Sequence, residues 1–221
     1  IIENSDIDYQ INSDESVTIK KVNSCSFENL DLSFVKGRKV SKINEGALNH
    51  ISSLKTLILN QEDITIETHA FENLPNLKNI YFNNVNTRSL VKENAFFNCG
   101  KISRFTTGLP LKDNSSVLKL KEYGIEPEED FKFQFNDTVQ IIPANYNQGF
   151  GTIAEFVCGD KLSIIEENSL VSDGSKILKF TPGKCDACRM TLSLPDLNQN
   201  EMAFYGTSLV TFKKLGKLNK L

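Results

Sequence analysis

One stretch of sequence that repeats itself constrains the fold of this chain more than any other feature. Residues 40–59, VSKINEGALNHISSLKTLIL, are followed 23 positions later by an imperfect copy at residues 63–82, DITIETHAFENLPNLKNIYF. A repeat of this period is typical of a solenoid, in which stacked units share one continuous core. The unit is too short to bury its apolar side alone, so it must stack on its neighbours.

The apolar spacing within each copy predicts what one unit looks like. A large apolar residue, Leu48 or Phe71, acts as an anchor, and further apolar residues follow at three, six, nine and eleven positions. The first part of this pattern has helical spacing, whereas the final L-x-x-L-x-L alternates with period two, as in a half-buried strand. We therefore expect each unit to be a short helix-like turn followed by a strand.

The anchor can be followed through most of the chain and gives about eight turns. The anchors are Phe27, Leu48, Phe71, Phe96, a degenerate unit near Tyr123, Asn147, Leu170 and Phe204, and the tetrapeptide FENL at 27–30 returns unchanged at 71–74. A β-branched or other apolar residue stands five positions before each anchor except the last: Val22, Ile43, Ile66, Val91, Leu118, Ile142 and Ile165.

These features predict the domain organisation. The repeat array covers residues 17–212, and the acidic segment 1–16 is an N-terminal cap or a degenerate first turn. Residues 213–221 are a C-terminal cap or a truncated end. The array is interrupted by an insertion at 181–191, where Pro and Gly mark a turn, and the acidic run 126–130 is interpreted as a bulged loop.

The units resemble the leucine-rich repeats of BspA-type surface proteins. The shared pattern is an Ile or Val four residues before Ala-Phe, then spaced Leu, Ile or Phe; in VKENAFFNC at 91–99 a Cys follows Ala-Phe by three, as is frequent in that subtype. The resemblance implies an α/β fold: a right-handed, horseshoe-like leucine-rich repeat solenoid with a parallel concave β-sheet and short helical or irregular convex turns. It also implies a family known for adhesion and protein binding.

Composition and charge narrow the classes of partner. The net charge is −3 and the pI is near 5.5, and a phosphate-binding surface needs clustered Lys and Arg, so nucleic acid is not expected as a partner. No run of about 18 apolar residues, the length that spans a bilayer, occurs in this segment. Two sequons, at Asn114 and Asn136, are candidate N-glycosylation sites and permit an exported origin.

The strand pattern predicts which residues face outward. If Leu57 and Leu59 point into the core, Ile58 points out, because side chains alternate across a strand. Stacking in register then places two rows on the open, concave face of the sheet. The middle row contains Ile58, Tyr81, Thr106, Gln134, Val157 and Thr181, and a flanking row contains Thr56, Asn79, Arg104, Lys132, Glu155 and Lys179.

An apolar and aromatic centre with a polar edge is the composition of a protein-contact surface. We take Ile58, Tyr81, Asn79, Arg104, Thr106, Gln134, Val157 and Glu155 as the candidate binding residues, with Tyr81 and Arg104 as anchors within the first four turns. The alternative is that these residues only cover a solvated sheet, where strand propensity favours Thr, Tyr and Ile.

The motifs with reactive residue types indicate no enzyme and no cofactor. Cys185 and Cys188 form a C-x-x-C, but no further Cys or His pair completes the four ligands of a structural zinc, so a disulfide or two free thiols is favoured. Cys99 and Cys158 fall at inward positions. His69 falls two before an anchor, where a left-handed turn residue is expected, and no nucleophile motif accompanies either histidine.

The sequence therefore predicts a non-enzymatic repeat protein that mediates protein–protein recognition or adhesion, with a protein ligand or matrix component as partner, at the cell surface or outside the cell. Two alternatives stay open. One is a structural or scaffold subunit that docks through its edges and ends, for which apolar residues exposed on the terminal turns would be evidence. The other is an intracellular scaffold.

Overall fold

The structure is a computed structural model, and it describes residues 6–23, 26–83, 90–108, 119–143, 146, 152–162, 164–165, 176–177 and 179–181. These residues fall into two compact units. The first lies within 1–102 and 120–126, and the second within 103–119 and 127–221.

All the regular elements in the described ranges are β-strands, most of them two to six residues long. They are β1 (Ile7–Ile11), β2 (Val17–Val22), β3 (Asn29–Asp31), β4 (Phe34–Val35), β5 (Arg38–Ile43), β6 (Leu48–Asn49), β7 (Thr56–Ile58), β8 (Thr65–Ile66), β9 (Phe71–Glu72), β10 (Asn79–Phe82), β11 (Leu90–Val91), β12 (Phe96–Phe97), β13 (Ile102–Thr107), β14 (Pro127–Phe135), β15 (Ile141–Ile142), β16 (Thr152–Ile153), β17 (Glu155–Val157), β18 (Ile164–Ile165), β19 (Lys176–Ile177) and β20 (Phe180–Thr181).

In the first unit, successive coils contribute strands to three parallel sheets. One sheet has the order β2-β5-β8-β11 and another the order β6-β9-β12, while β3, β7 and β10 lie side by side in a third. The antiparallel strand β1 pairs with β2 at the edge of the first of these sheets. This unit therefore winds as a β-solenoid, with strands on three sides of the coils β5–β7 and β8–β10.

The apolar residues of consecutive coils are stacked in register, as the repeat predicts. Leu48 is paired with Phe71, which is paired with Phe96. On another side of the coil, Leu57 is paired with Ile80, and all five residues are at most 3% exposed. A given position in the repeat therefore has the same environment in each of these coils.

The predicted helix-like turn is not found in the described residues. A two-residue strand begins at each of the anchors Leu48, Phe71 and Phe96. It is flanked by residues with positive φ, which lie two positions before and two positions after the anchor. These are Gly46, His69 and Asn94 before it, and His50, Asn73 and Asn98 after it. Because a residue with positive φ cannot continue a right-handed helix, the chain turns a corner there. The left-handed residues before the anchor were predicted, but those after it were not.

Amide side chains of successive coils are hydrogen-bonded along this corner. Asn73 Nδ2 donates to Asn49 Oδ1 at 3.0 Å, and Asn98 Nδ2 donates to Asn73 Oδ1 at 2.7 Å. Asparagine tolerates positive φ better than most residues, and its amide both donates and accepts. One residue type thus satisfies the backbone conformation and links neighbouring coils.

The assignment of Phe27 as the first anchor is wrong. Val22 occupies that place, because its N–H donates to Ala47 O at 2.8 Å, as Leu48 N–H donates to Ala70 O at 2.9 Å in the next coil. Ile19, not Val22, is accordingly paired with Ile43. The FENL segment at 27–30 leads into strand β3, and the hairpin of β4 and β5 follows it.

The second unit is built around stacked phenylalanines. Phe131, Phe133 and Phe135 alternate inward along β14, as predicted, and are at most 3% exposed. Phe133 stacks on Phe105 of β13 and on Phe156 of β17, with ring centroids 5.7 and 5.3 Å apart. The predicted bulged loop at 126–130 is wrong, since residues 127–130 belong to β14; backbone pairing outweighs the low strand propensity of acidic residues.

Ion pairs also connect neighbouring coils in the first unit. The Glu67 carboxylate contacts Lys92 Nζ at 2.5 Å and Lys42 Nζ at 3.3 Å. The hydrogen bond from Lys92 lowers the pKa of Glu67, and the hydrogen bond from Lys42 lowers it further. Partial burial acts in the opposite direction but is outweighed, so the pKa of Glu67 lies below its usual value. A carboxylate with a lowered pKa stabilises the fold above its unfolded pKa, which is about 4.3, and this contribution is lost as the pH falls through the folded pKa.

We expect Glu67→Gln to lower the free energy of unfolding at pH 7 by up to ~1 kcal/mol, the usual size of a partly exposed ion-pair contribution. The difference from the unsubstituted protein should shrink toward zero near pH 3, where the carboxylate of the unsubstituted protein is increasingly protonated. Urea unfolding at both pH values measures this. Glu45→Gln, at an exposed position in the same unit, is the control; an equal loss for Glu67→Gln at both pH values would contradict the ion-pair explanation.

Candidate functional site

The first candidate surface is formed by the outward side chains of β3, β7 and β10, and we call it the first open face. Leu30, Leu57 and Ile80 point inward from these strands and are at most 1% exposed. The outward residues form two rows in register: Asp31–Ile58–Tyr81 and Asn29–Thr56–Asn79. The predicted neighbours Ile58 and Tyr81 are thus directly side by side, and both are half-buried.

Polar contacts surround the Ile58–Tyr81 pair. Asn79 Nδ2 lies 3.4 Å from Thr56 Oγ1, at the hydrogen-bond limit. The Asp31 carboxylate accepts hydrogen bonds from the Ser33 N–H at 2.9 Å and the Ser33 hydroxyl at 2.5 Å. The first open face therefore combines an aliphatic and an aromatic side chain with an ordered polar edge.

Asp31 is not among the residues predicted for this face, because the repeat pattern placed the first coil in the wrong register. The signal was present in the sequence: Leu30-Asp31-Leu32 repeats the alternation of Leu57-Ile58-Leu59, and Leu32 is fully buried, as Leu59 is. The tetrapeptide FENL, identical at 27–30 and 71–74, is a longer match than this alternation and favoured the wrong register.

The second open face comprises the outward side chains of β13, β14 and β17, with the neighbouring residues 179 and 181. Lys132 is paired with Glu155 and Gln134 with Val157, and Val157 is paired in turn with Thr181. The predicted row order is confirmed for these residues.

Glu155 forms an ion-pair network within the second open face. Its carboxylate contacts Lys132 Nζ at 3.2 Å and Lys179 Nζ at 3.4 Å, and accepts a hydrogen bond from the Thr181 hydroxyl at 2.6 Å. Burial disfavours the charged form, but the hydrogen bonds from Thr181 and Lys132 and the two lysine charges outweigh it, so the pKa of Glu155 is lowered. This carboxylate is already occupied by partners in its own sheet.

Thr106 does not have the exposure predicted for it. It belongs to the outward row by sequence, yet it is only 5% exposed, and its hydroxyl oxygen is buried with no hydrogen-bond partner among the described residues. Threonine has a short side chain, so it rises less above a sheet than its longer neighbours and is more easily covered.

The remaining candidate residues that the structure describes, Cys99, Cys158 and Asn136, are not part of either open face. Cys158 is buried as predicted, whereas Cys99 is only partly buried; burial raises the pKa of the Cys99 thiol to about 11. Asn136 is half-buried, and its Oδ1 accepts hydrogen bonds from Thr138 N–H at 2.9 Å and the Thr138 hydroxyl at 2.5 Å. Cys185, Cys188 and Asn114 lie outside the described residues.

Both histidines lie at corners of the first unit. His69 stacks on Phe97, with ring centroids 4.2 Å apart, and its Nδ1 is 3.6 Å from Glu72 Oε2. His50 Nε2 is 3.4 Å from Asn73 Nδ2.

In the part of the chain that the structure describes, no three His, Cys, Asp or Glu side chains are grouped so that they could hold a metal ion. Within the same ranges, the chain has no helix of the length and apolar character that a membrane crossing needs.

Parallel strands that recur once per coil around an apolar column define a solenoid repeat protein. The chain belongs to the BspA-type leucine-rich repeat family, because the family's sequence model, described as "BspA type Leucine rich repeat region", matches residues 9–123 in six copies. A comparison with curated proteins gives no significant match.

Two solved structures are similar to this chain. One is a leucine rich cell surface protein from Faecalibacterium prausnitzii A2-165, with 15% identity over 86% of this chain and a TM-score of 0.37. The other is a leucine rich repeat protein of T. pallidum, with 10% identity over 98% of this chain and 96% of that one, and a TM-score of 0.31. The chain spans 53% of the length of the F. prausnitzii protein.

Proposed function

We propose that this chain is a non-enzymatic recognition module that binds a protein ligand or matrix component through its open sheet faces. The observation that carries the proposal is the Ile58–Tyr81 pair on the first open face. Tyrosine is enriched among residues that dominate binding energy, and such residues are typically surrounded by weaker contacts that exclude water. Here Asn79, Thr56 and Asp31 surround the pair.

The two anchors proposed from the sequence, Tyr81 and Arg104, belong to different compact units. Each face is therefore proposed, and tested, as a binding surface by itself. The concave shape of the sheet, adhesion as the biological outcome, and a cell-surface or extracellular location are part of the same proposal and derive from the family resemblance. Glycosylation at Asn136 would support export.

We expect Tyr81→Ala to weaken binding of a protein partner by about 10- to 100-fold, since truncating a dominant interface residue costs ~1.4 to 3 kcal/mol. The partner is first identified by affinity capture on the intact chain, and its dissociation constant is then measured by surface plasmon resonance. Tyr9→Ala is the matched control, because Tyr9 is also half-buried but lies on β1, in another sheet.

Two readouts keep this experiment decisive. The far-ultraviolet circular dichroism and the urea midpoint of Tyr81→Ala should stay close to those of the unsubstituted protein, which separates lost binding from lost structure. Unchanged affinity of a folded Tyr81→Ala protein would overturn the assignment of the first open face.

A second function, docking of a scaffold subunit through the edge formed by β1 and β4, is favoured by one observation. Phe34 of β4 is 58% exposed and Ile11 of β1 is 48% exposed, and both belong to the first coils of the first unit. Apolar side chains exposed on outer strands are the feature expected of a subunit that docks through that edge. In the same binding assay, a loss caused by Phe34→Ser together with no loss for Tyr81→Ala would favour this function.

A further inference from the structure

The second open face carries two positive charges side by side. Phe105 stacks on Phe133, and the Asn136 N–H donates to Thr107 O at 2.9 Å, so β13 and β14 run parallel with Arg104 next to Lys132. Residues so placed on neighbouring strands have their Cα atoms about 4.8 Å apart. Like charges at this separation repel each other. The Glu155 carboxylate, 3.2 Å from Lys132 Nζ, offsets the lysine charge.

Within the described ranges, no acidic side chain forms an ion pair with the guanidinium of Arg104. The Glu155 carboxylate forms ion pairs with Lys132 and Lys179, the neighbouring residues of its row. Asp130 is on the same strand as Lys132, two residues earlier, and is exposed. Among the residues that the structure describes, neither carboxylate forms an ion pair with Arg104.

Two neutral polar side chains next to this pair also have unused hydrogen-bonding capacity. The same register places Thr106 beside Gln134, one outward position further along the strands. Thr106 is 5% exposed, and its hydroxyl has no hydrogen-bond partner in the part of the chain that the structure describes. No described residue hydrogen-bonds the Gln134 side-chain amide. A buried hydroxyl without a partner costs roughly 1–3 kcal/mol and calls for a structural reason.

These four side chains together present the donors that a carboxylate needs. Arginine offers a planar pair of N–H groups that matches the two carboxylate oxygens, while lysine adds a point charge. The Thr106 hydroxyl and the Gln134 amide can donate to the remaining carboxylate lone pairs once the side chains that cover Thr106 move aside. The row itself contains a precedent, because the Glu155 carboxylate is held between Lys132 and Lys179 with a threonine hydroxyl at 2.6 Å.

We propose that Arg104, Lys132, Thr106 and Gln134 form a carboxylate-binding site, and that the carboxylate comes from an aspartate or glutamate side chain of the partner polypeptide. This inference rests on the proposed function, since the partner is the polypeptide that binds the open faces. It adds the chemistry of that partner: the contacting segment is acidic, although the chain as a whole has a net charge of −3.

The first test uses a small probe and does not depend on a natural partner. N-acetyl-glutamate amide is titrated to tens of millimolar into the intact, ¹⁵N-labelled protein, with N-acetyl-glutamine amide as the matched control. The Arg104 Nε–H and Thr106 amide resonances should shift with the glutamate probe and stay unchanged with the glutamine probe. Arg104→Gln should abolish the shift, whereas Arg38→Gln, which removes the same charge from the first unit, should preserve it.

The second test asks what kind of polypeptide binds. Peptides are selected on the intact chain from a random 12-residue library, and the dissociation constants of the enriched sequences are measured by fluorescence polarisation. Acidic peptides should be enriched, and their affinity should fall about tenfold with Arg104→Gln or with Glu→Gln in the peptide, but not with Arg38→Gln.

The outcomes separate this inference from the proposed function. Selected peptides that bind without acidic residues and are insensitive to Arg104→Gln would overturn the carboxylate site and leave the recognition module standing. Arg104-dependent binding of the glutamate probe without selection of any peptide would support the site and count against the recognition module. Preferential, Arg104-dependent binding of a sulfated oligosaccharide over the acidic peptide would overturn the assignment of the partner as a polypeptide.

Discussion

Replacing Phe71 with alanine should destabilise the first unit by about 3–5 kcal/mol, the usual cost of deleting a buried phenylalanine ring. Phe71 is fully buried, and its ring centroid is 4.8 Å from that of Phe96 in the next coil. Because each coil contacts mainly its neighbours, a cavity between coils weakens the interface on which both depend. Urea unfolding monitored by circular dichroism should show a midpoint lowered by at least ~1 M, given a slope of ~1–3 kcal/mol per molar.

Phe97→Ala is the matched control, because it deletes the same kind of ring from the next coil, one position after Phe96. Phe97 is 42% exposed and, among the described rings, stacks on that of His69, whose side chain is 32% exposed. Its loss should cost ~1 kcal/mol or less, the range of a single aromatic pair. Similar losses for the two variants would mean that the column of apolar side chains is not what stabilises the stacked coils.

The contrast between Phe71 and Phe97 also shows why the inward pattern could be predicted from the sequence. A solenoid repeats the same environment at the same position of each coil, so periodicity alone identifies the positions of Leu57, Ile80 and the β14 phenylalanines. The outward rows follow from alternation along the strands. The neighbours Ile58 and Tyr81 were therefore predictable without knowledge of the corners of the coil.

The conformation of the corners could not be predicted from apolar spacing. Leu48, Ile51 and Leu54 recur every third residue, which fits one face of a helix and equally fits an inward edge of an angular coil. Positive φ at His50 and Gly46 decides between them. Residue type indicated the left-handed residues before the anchor, such as Gly46, but not the one after it at His50, because histidine adopts positive φ more often than most residues and still does so only in a minority of cases.

The tetrapeptide FENL shows the limit of local sequence identity. At 71–74 its first two residues form β9 at a corner of the coil, whereas at 27–30 its last two begin β3 on the first open face. Pairing with the neighbouring coil determines the register, and a one-residue slip would expose the buried side chains. Likewise, the burial of Thr106 depends on the side chains around it, which no single repeat encodes.

Replacing Gly100 with alanine should cost about 2–3 kcal/mol or more, because the corner has no room for a methyl group. A Cβ atom at this position would lie 2.2 Å from Pro75 O and 2.9 Å from Pro75 C in the preceding coil. Both are backbone atoms, so no side-chain rotation can relieve the clash. The Gly100 N–H also donates to Leu74 O at 3.0 Å, so moving the coils apart would weaken that hydrogen bond.

Gly37→Ala separates this steric effect from the loss of glycine as such. Gly37 has a φ of 75° and nothing within 4 Å of the added methyl group, so its substitution should cost only the backbone penalty of ~1–2 kcal/mol. Gly159→Ala should behave like Gly100→Ala, because its Cβ would lie 2.4 Å from Asn136 O in the second unit. Thermal unfolding measures the stability lost by each variant. If Gly100→Ala lost less stability than Gly37→Ala, close backbone contact between coils could not be the reason for glycine at positions 100 and 159.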